Sequence, residues 1–288
     1  MTDADLRRLP PELHARARAV AAGSAPVAEP RHAATVMLLR DSAPGPGVEV
    51  YMLRRVAGMA FAGGMYVFPG GSVDPRDSDA EVAWSGPPDT EWTRLLNADA
   101  PLARALVCTA VRETFEEAGV LLAGADGQRT VTVDHDIEHW AGEQAALLDR
   151  SASIADVLCR NSLVLRADLL RAWAHWITPE TEPKRFDTRF FVAALPEGQR
   201  PVHFAGESDA SEWVRPADAL ARRASGEMVM MPPTVMTLVE LAGFADVAEV
   251  LNAAATRQIT PVLPRVVVAG EDVLLLLPGD PGYPHADA

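Results

Sequence analysis

Three glutamates stand close together in the first half of the chain, at Glu113, Glu116 and Glu117. If this segment is helical, spacings of three and four residues place the carboxylates within an arc of roughly 100° on one helix face. Three negative charges on one face repel one another, and near a helix C-terminus they also oppose the helix dipole. A divalent cation would relieve both effects, and oxygen ligands with room for water suit Mg²⁺ or Mn²⁺. The spacing therefore predicts a metal site, with a solvated acidic surface as the alternative.

The residues around these glutamates predict the helix that would carry them. Asp99 can accept hydrogen bonds from the first N–H groups, and Pro101 suits the first turn. Gly119 tolerates the left-handed conformation that follows many helix C-termini. Arg112 precedes Glu116 by one turn and can pair with it. The face opposite the glutamates is apolar and consists of Cys108, Val111, Phe115 and Ala118. We therefore expect this face in the core and the acidic face at a site.

A glycine turn lies upstream of this helix. The segment Phe68-Pro69-Gly70-Gly71 follows a short apolar run, which predicts a strand that ends where backbone can approach a ligand closely. A Gly-Gly turn followed by an Arg-Glu-x-x-Glu-Glu-x-Gly helix resembles the Nudix box, the signature of the Nudix hydrolase family. The matching residues are Gly71, Arg112, Glu113, Glu116, Glu117, Gly119 and Val120.

The box differs from the family pattern in its first half. Arg112 follows Gly71 by 41 positions, where the family pattern has 14, so about 27 residues are inserted. The first glutamate of the pattern is replaced by Asp77, at the start of the insertion. Asp77 is therefore a possible extra acid of the site.

The resemblance implies a fold, a reaction and a set of roles. The implied fold is α/β, a Nudix-type α/β/α sandwich with a mixed sheet and helical insertions. The implied reaction is metal-dependent hydrolysis of a nucleoside diphosphate linked to another group. Glu113, Glu116 and Glu117 would hold Mg²⁺ or Mn²⁺, with Glu116 and Glu117 counted as catalytic. Arg112, also counted with the catalytic residues, would orient a ligand glutamate through a charge-assisted bond.

Further acids and bases are candidates for substrate contact or proton transfer. Gly70 and Gly71 would line the substrate-binding site. The basic residues that could receive phosphates are Arg54, Arg55, Lys184, Arg185 and Arg189, of which Arg55 and Arg185 are preferred. Additional acids in a predicted loop before Trp213 are Glu207, Asp209 and Glu212. Ordinary surface charge is the alternative for each of these loop acids.

Three features resemble one branch of the family, the long-insertion coenzyme A diphosphatases known from animal peroxisomes. They are the insertion in the box, the segments 176–179 and 184–191, and the ending 276–280. This branch implies cleavage of coenzyme A or acyl-coenzyme A to 3′,5′-ADP and (acyl-)4′-phosphopantetheine. A Nudix pyrophosphatase acting on ADP-ribose, NADH, a nucleotide sugar or a dinucleoside polyphosphate is one alternative. A catalytically silent Nudix-like binding module is the other.

The amino-acid composition limits the classes of molecule that the protein is expected to bind. A net charge of −14 over 288 residues argues against nucleic acid or an anionic membrane, since both reward basic patches. Two cysteines indicate a reducing compartment, and we expect a cytoplasmic location. The expected partner is a small nucleotide substrate, and a homodimer is left open.

The chain predicts one main domain with insertions. We expect an N-terminal leader at 1–31, a Nudix domain at 32–280 and a tail at 281–288. The insertion in the box would span 74–99, with a short helix near 91–96, and a helical insertion would span 134–173. The predicted strands cover 33–39, 48–53, 63–68, 176–178, 185–195, 265–269 and 273–277, and a short one starts at 213. The predicted helices after the box cover 216–224, 232–242 and 246–255.

Overall fold

The computed structural model describes residues 11–58, 62–78, 82–125, 129–133, 136–202, 208–270 and 272–284. The chain divides into two compact units. The larger unit comprises Ala33–Ala174 and Arg189–Ile259, and the smaller comprises Met1–His32, His175–Thr188 and Thr260–Ala288. The domain limits expected from the sequence stay a prediction.

The elements alternate between strands and helices along the chain. The helices are α1 (Pro11–Ala21), α2 (Asp89–Leu96), α3 (Ala100–Ala118), α4 (Ile137–Leu148), α5 (Ile154–Arg160), α6 (Pro216–Ala224), α7 (Pro232–Leu241) and α8 (Val247–Thr256). The strands up to the middle of the chain are β1 (Arg31–Asp41), β2 (Val48–Arg55), β3 (Tyr66–Val67), β4 (Gly70–Ser72), β5 (Trp84–Ser85), β6 (Ala123–Gly124) and β7 (Val164–Arg166). The later strands are β8 (Arg171–Ile177), β9 (Phe186–Ala194), β10 (Ser208–Val214), β11 (Pro261–Val262), β12 (Arg265–Ala269) and β13 (Asp272–Leu276).

A mixed sheet forms the centre of the larger unit. Its strands follow the order β10-β2-β1-β9-β8, with β3 paired to β2 and β4 paired to β1. Strands β1 and β2 pair antiparallel, with Leu39 opposite Val50. Strand β4 brings the glycine turn against β1, since Gly71 pairs with Ala34 and Gly70 with Thr35. Backbone pairing with β1 therefore fixes the position of the glycine turn.

Helices cover both faces of this sheet. On one face, Tyr51 and Leu53 of β2 share a buried core with Val111 and Phe115 of α3. On the other face, α6 packs against β2 and α7 packs against α6. This arrangement confirms the predicted Nudix-type fold class, with α3 on one side of the sheet and α6 on the other.

Helix α3 has the predicted limits. Its N-cap is Asp99, whose carboxylate accepts from Leu102 N at 2.9 Å, and proline occupies the first turn. Gly119 ends the helix with φ of 65°, in the left-handed region. A Cβ at Gly119 would lie 3.1 Å from the carbonyl oxygen of Val202, so close packing adds to the conformational reason for glycine.

The prediction of a helical region through 134–173 is wrong at its C-terminal end. Helix α4 ends at Leu148 and α5 at Arg160, and strands β7 and β8 follow. Leu165 pairs with Trp84 on one side and with Ala123 on the other. Trp173, inside the predicted helical insertion, lies instead on strand β8. The apolar spacing of this segment fits either period, and sheet pairing decides it.

Two other predictions are corrected by strand boundaries. The strand predicted at 63–68 is limited to Tyr66–Val67, because Met65 and Gly64 belong to the turn that closes on Arg55. The residues before Trp213 were predicted to form a loop, but Ser208–Val214 is strand β10, paired antiparallel to β2. This pairing determines which side chains of β10 face α3.

The smaller unit contains α1 and the C-terminal hairpin. Strands β12 and β13, both predicted from the sequence, pair antiparallel, and Ala17 of α1 is buried with Val273 and Leu275. Strand β11 runs parallel to the end of β8. Among the described residues, no helix combines the length and apolar character that crossing a bilayer requires.

Candidate active site

Arg112 lies at the centre of the acidic cluster on α3. Its Nη1 donates to Glu113 Oε1 at 2.8 Å and to Glu116 Oε1 at 3.1 Å, which confirms the predicted pair one turn apart. Its Nε donates to Asp77 Oδ1 at 3.0 Å, while Nη2 donates to Asp77 Oδ2 at 2.9 Å and to the carbonyl of Ser72 at 3.0 Å. Burial opposes the charge of Arg112, but the surrounding carboxylates raise its pKa above the ordinary value. Arg112 is thus a fixed cation that holds two of the predicted ligand glutamates.

The carboxylate of Asp77 is occupied by hydrogen bonds, chiefly with Arg112. It is 1% exposed and also accepts from Thr109 Oγ1 at 2.8 Å and from Asp74 N at 3.0 Å. A carboxylate has about four lone-pair positions, and these bonds occupy most of them. The geometry therefore favours Asp77 as a support for Arg112 over Asp77 as a metal ligand.

Glu113 is buried against the glycine turn. A Cβ at Gly71 would overlap the carboxyl group of Glu113, and a Cβ at Gly70 would lie 2.6 Å from the carbonyl oxygen of Ala34. Gly70 therefore requires glycine because backbone lies beside it, whereas a Cβ at Gly71 would displace the Glu113 carboxyl. Burial raises the pKa of the Glu113 carboxyl to about 7, while the positive charge of Arg112 acts in the opposite direction. The Glu113 carboxylate is consequently a group that a further cation would stabilise.

Glu117 contacts the same glycine turn from one helical turn beyond Glu113. Its Oε2 accepts from the backbone N–H of Gly70 at 2.8 Å. It also lies near Tyr51 of β2, whose phenol pKa is raised by burial and further by the charge of Glu117, against a hydrogen bond with Ser211. The sheet, the turn and α3 therefore meet at this carboxylate.

The donor set fits a hard divalent cation. Glu113 and Glu116 already share one cationic nitrogen of Arg112, so their carboxylates converge. Within the described ranges, no three His, Cys, Asp or Glu side chains are gathered as a ready-made metal cage. Mg²⁺ is usually bound through one or two carboxylates together with waters and substrate phosphates, and it does not need such a cage. The pair of convergent carboxylates is sufficient for that mode of binding.

Glu212 is oriented away from these acids. In the β10–β2 register, Trp213 lies opposite Tyr51 and Glu212 lies opposite Met52, so Trp213 and Glu212 project from opposite faces of the sheet. Trp213 is on the α3 side, with its ring centroid 5.4 Å from that of Tyr51. Glu212 instead accepts from Arg222 of α6 at 2.6 and 3.1 Å. The placement separates Glu212 from the site, because the strand alternates faces where a loop would not.

The other predicted residues fall in different places. Arg55 ends β2, on the same face as Tyr51 and Leu53 by strand alternation. Arg185 belongs to the smaller unit, is buried, and donates to the carbonyl oxygens of Thr178 and Ala28 at 2.9 and 2.8 Å. These bonds are structural, and substrate contact by Arg185 stays a prediction. Glu207 lies outside the described residues.

Two members of the site were missed in the sequence. Thr109 lies one turn before Arg112, and its spacing alone could have marked it as a neighbour on α3. Ser72 contributes a carbonyl oxygen, which no residue type indicates. Arg54, considered for phosphate binding, is paired with Asp209 at 2.7 Å.

Comparisons with known proteins agree with this geometry. Residues 87–241, more than half of the chain, match the family profile described as the NUDT19 Nudix domain. The acyl-coenzyme A diphosphatase NUDT19 of Gallus gallus is 30% identical over 88% of this chain and 80% of its own length. The protein of the same name from Homo sapiens is 28% identical over 83% of this chain and 73% of its own.

A solved structure supports the same assignment. The NUDIX hydrolase from Alicyclobacillus acidocaldarius superimposes with a TM-score of 0.63 at 30% identity, covering 81% of this chain and 99% of that one. Fold, site geometry and sequence similarity all lead to one family. The chain belongs to the NUDT19 Nudix domain family and is a Nudix hydrolase.

Proposed function

We propose that this protein hydrolyses the diphosphate bond of coenzyme A or acyl-coenzyme A, giving 3′,5′-ADP and (acyl-)4′-phosphopantetheine. The observation that carries the proposal is the Arg112-centred acid cluster, held against the glycine turn at Gly70 and Gly71. The choice of substrate is based on relatives named acyl-coenzyme A diphosphatase, which align with this chain over most of their length.

Nudix hydrolases generally use divalent metal ions, and the three glutamates are the proposed ligands here. Glu113, Glu116 and Glu117 would hold Mg²⁺ or Mn²⁺, which would offset the negative charge that develops on the diphosphate. Glu116 is the proposed acceptor for the proton of the attacking water. Both of its carboxylate oxygens accept from Arg112 Nη1, at 3.1 and 3.2 Å, so the carboxylate is held in a defined orientation.

The remaining residues of the cluster orient these carboxylates. Arg112 fixes Glu113 and Glu116, Asp77 fixes Arg112, and the N–H of Gly70 fixes one oxygen of Glu117. The backbone of Gly70 and Gly71 is the proposed contact for the substrate. Arg55 is a proposed phosphate contact, since it lies on the face of β2 that faces α3.

The test is a parallel hydrolysis assay. Coenzyme A, acetyl-coenzyme A, ADP-ribose and NADH are incubated with the protein and Mg²⁺ or Mn²⁺, and products are resolved by chromatography. The proposal expects 3′,5′-ADP from the two coenzyme A substrates, in the presence of metal only. Cleavage of ADP-ribose or NADH instead would keep the hydrolase and overturn the substrate. No turnover of any substrate, with Mn²⁺ bound, would favour a silent binding module.

Two further expectations accompany the proposal. A cytoplasmic location stays a prediction and is tested by cell fractionation. The homodimer left open by the sequence is tested by light scattering of the purified protein.

A further inference from the structure

A buried glutamine outside the box contacts the acid-bearing helix. Gln144 belongs to α4, in the helical insertion, and is 1% exposed. Its Nε2 donates to the carbonyl oxygen of Phe115 at 3.1 Å and to that of Glu116 at 2.6 Å. Both acceptors lie in the last turn of α3. An α4 side chain therefore bonds the backbone of a residue that carries a proposed metal ligand.

The last four carbonyl groups of an α-helix have no partner within the helix. In α3, the carbonyl of Phe115 accepts from Gly119 N at 2.9 Å, and Gln144 adds a bond to this carbonyl and to the next one along. The bond to Phe115 is buried and the bond to Glu116 is part-buried, so the amide supplies hydrogen bonds to carbonyl groups that have limited access to water.

The position of Gln144 is fixed by packing. Trp140, one turn earlier on the same face of α4, sets its ring edge-on to Phe115 with centroids 6.0 Å apart. Trp140 and Phe115 are both buried. The aromatic pair sets the distance between α4 and α3, and the amide of Gln144 then sets the orientation of the Glu116 peptide.

We propose that Gln144 is a positioning residue for Glu116, so that the helical insertion tunes the metal affinity of the site. The inference rests on the proposed metal site and extends it to a residue outside the box. Two of the restraints on the Glu116 carboxylate are its contact to Arg112 and the orientation of its own backbone. Loss of the Gln144 bond leaves the first restraint and releases the second.

The chain offers a matched comparison in Gln199. It is also a buried glutamine, 6% exposed, and its side chain bonds Leu121 N, Leu121 O and Val131 O at 3.0, 3.0 and 2.8 Å. These bonds hold the chain just after α3, beyond the three glutamates. Gln199 thus has the chemistry and burial of Gln144 without the link to a carboxylate-bearing residue.

The experiment compares Gln144→Met with Gln199→Met in the full-length protein. Mn²⁺ binding is measured without substrate, from the decrease of the electron paramagnetic resonance signal of free Mn²⁺, and thermal unfolding is measured on the same samples. We expect Gln144→Met to weaken Mn²⁺ binding about 10-fold, the lower end of what residues supporting a metal ligand contribute. Gln199→Met should lower the melting temperature at least as much and leave Mn²⁺ affinity within about twofold of wild type, because it holds no ligand.

The outcomes separate this inference from the substrate assignment. Equal losses of Mn²⁺ affinity in the two variants, or none in Gln144→Met, would overturn the positioning role. If Gln144→Met does not fold, Gln144→Asn withdraws the amide by one bond and should show a smaller loss in the same direction. A wild-type protein that binds Mn²⁺ but spares coenzyme A contradicts the substrate only. A wild type that binds no Mn²⁺ contradicts both proposals.

Discussion

Two clusters of an arginine with acidic partners occupy opposite faces of the central sheet. On one face, Arg112 binds Asp77, Glu113 and Glu116, and each of these side chains is at most 10% exposed. On the other face, Arg222 binds Glu212 and Glu227, which are 33% and 60% exposed. The residue types are the same, but the surroundings differ.

The difference shows what turns clustered charge into a site. Around Arg112, a glycine turn contacts Glu113 and Glu117 through positions where a Cβ is excluded or a backbone N–H is donated. Around Arg222, the side chains bond one another on a partly exposed surface, where such pairs contribute about 0–1 kcal/mol. Burial and attachment to backbone, more than charge count, distinguish the two clusters.

The largest expected effect is on turnover. Glu116→Gln keeps size and removes the charge of a proposed ligand, so we expect loss of at least about 100-fold in kcat. Glu117→Gln should behave alike, with the fold preserved by circular dichroism. The matched variant in the other cluster, Glu212→Gln, should retain wild-type kcat. Wild-type activity in both α3 variants would contradict the proposed metal ligands.

The next effect is steric. Gly71→Ala places a methyl group where the Glu113 carboxyl lies, and we expect kcat to fall about 10-fold or more because the ligand must move. Gly142→Ala is the control, since a Cβ at this helical position of α4 meets nothing within 4 Å. That variant should keep full activity and gain up to about 1 kcal/mol of stability. Equal activity in the two variants would show that Glu113 can shift without consequence.

The third prediction concerns the stability of the two clusters. Asp77→Asn removes the charge that two nitrogens of Arg112 contact in a buried setting, which should cost about 3 kcal/mol in the free energy of unfolding. Glu212→Gln should cost less than about 1 kcal/mol, since its pair with Arg222 is partly exposed. Urea denaturation of both variants measures the contrast, and similar values would remove the distinction drawn between the clusters.

The smallest effect depends on pH. Arg76 donates to Asp74 through Nε and Nη2, both at 3.0 Å, and these bonds hold the pKa of Asp74 at about 2. A carboxyl with a depressed pKa stabilises the folded state above its unfolded pKa, and the contribution disappears as the pH falls from about 4 to 2. Because Arg76 is 37% exposed, we expect about 1 kcal/mol or less. Asp74→Asn should lose this part of the acid dependence in denaturant titrations, and an unchanged profile would contradict it.

Local signals in the sequence were sufficient for the helix that carries the acids. The cap at Asp99, the left-handed Gly119 and the pair between Arg112 and Glu116 depend only on neighbours within a turn. The orientation of Glu212 could not be predicted, because it depends on whether the preceding residues pair with β2 or form a loop. The bond from Gln144 to the Glu116 carbonyl could not be predicted either, because every residue has a backbone carbonyl and its residue type does not show which side chain bonds it.

The same reasoning explains the wrong helical prediction for the residues after α5. The apolar residues of β7 and β8 have no partners within their own segment, and their strand character comes from Trp84, Ala123 and β9. Such long-range pairing overrides local preference, and a single sequence does not reveal it.

Asp77 and Arg112 are joined in space although 35 positions separate them, where the family pattern would have eight. Lengthening a connection of this kind costs only about 1–2 kcal/mol in closure entropy, because that cost grows with the logarithm of length. Helix α2, which lies in the insertion, buries Trp92 against Phe191 and offsets such a cost. The signature therefore consists of two parts, the glycine turn with Asp77 and the helix that carries Arg112, and the length of chain between them can vary. Genome searches that require the usual spacing would miss enzymes built this way.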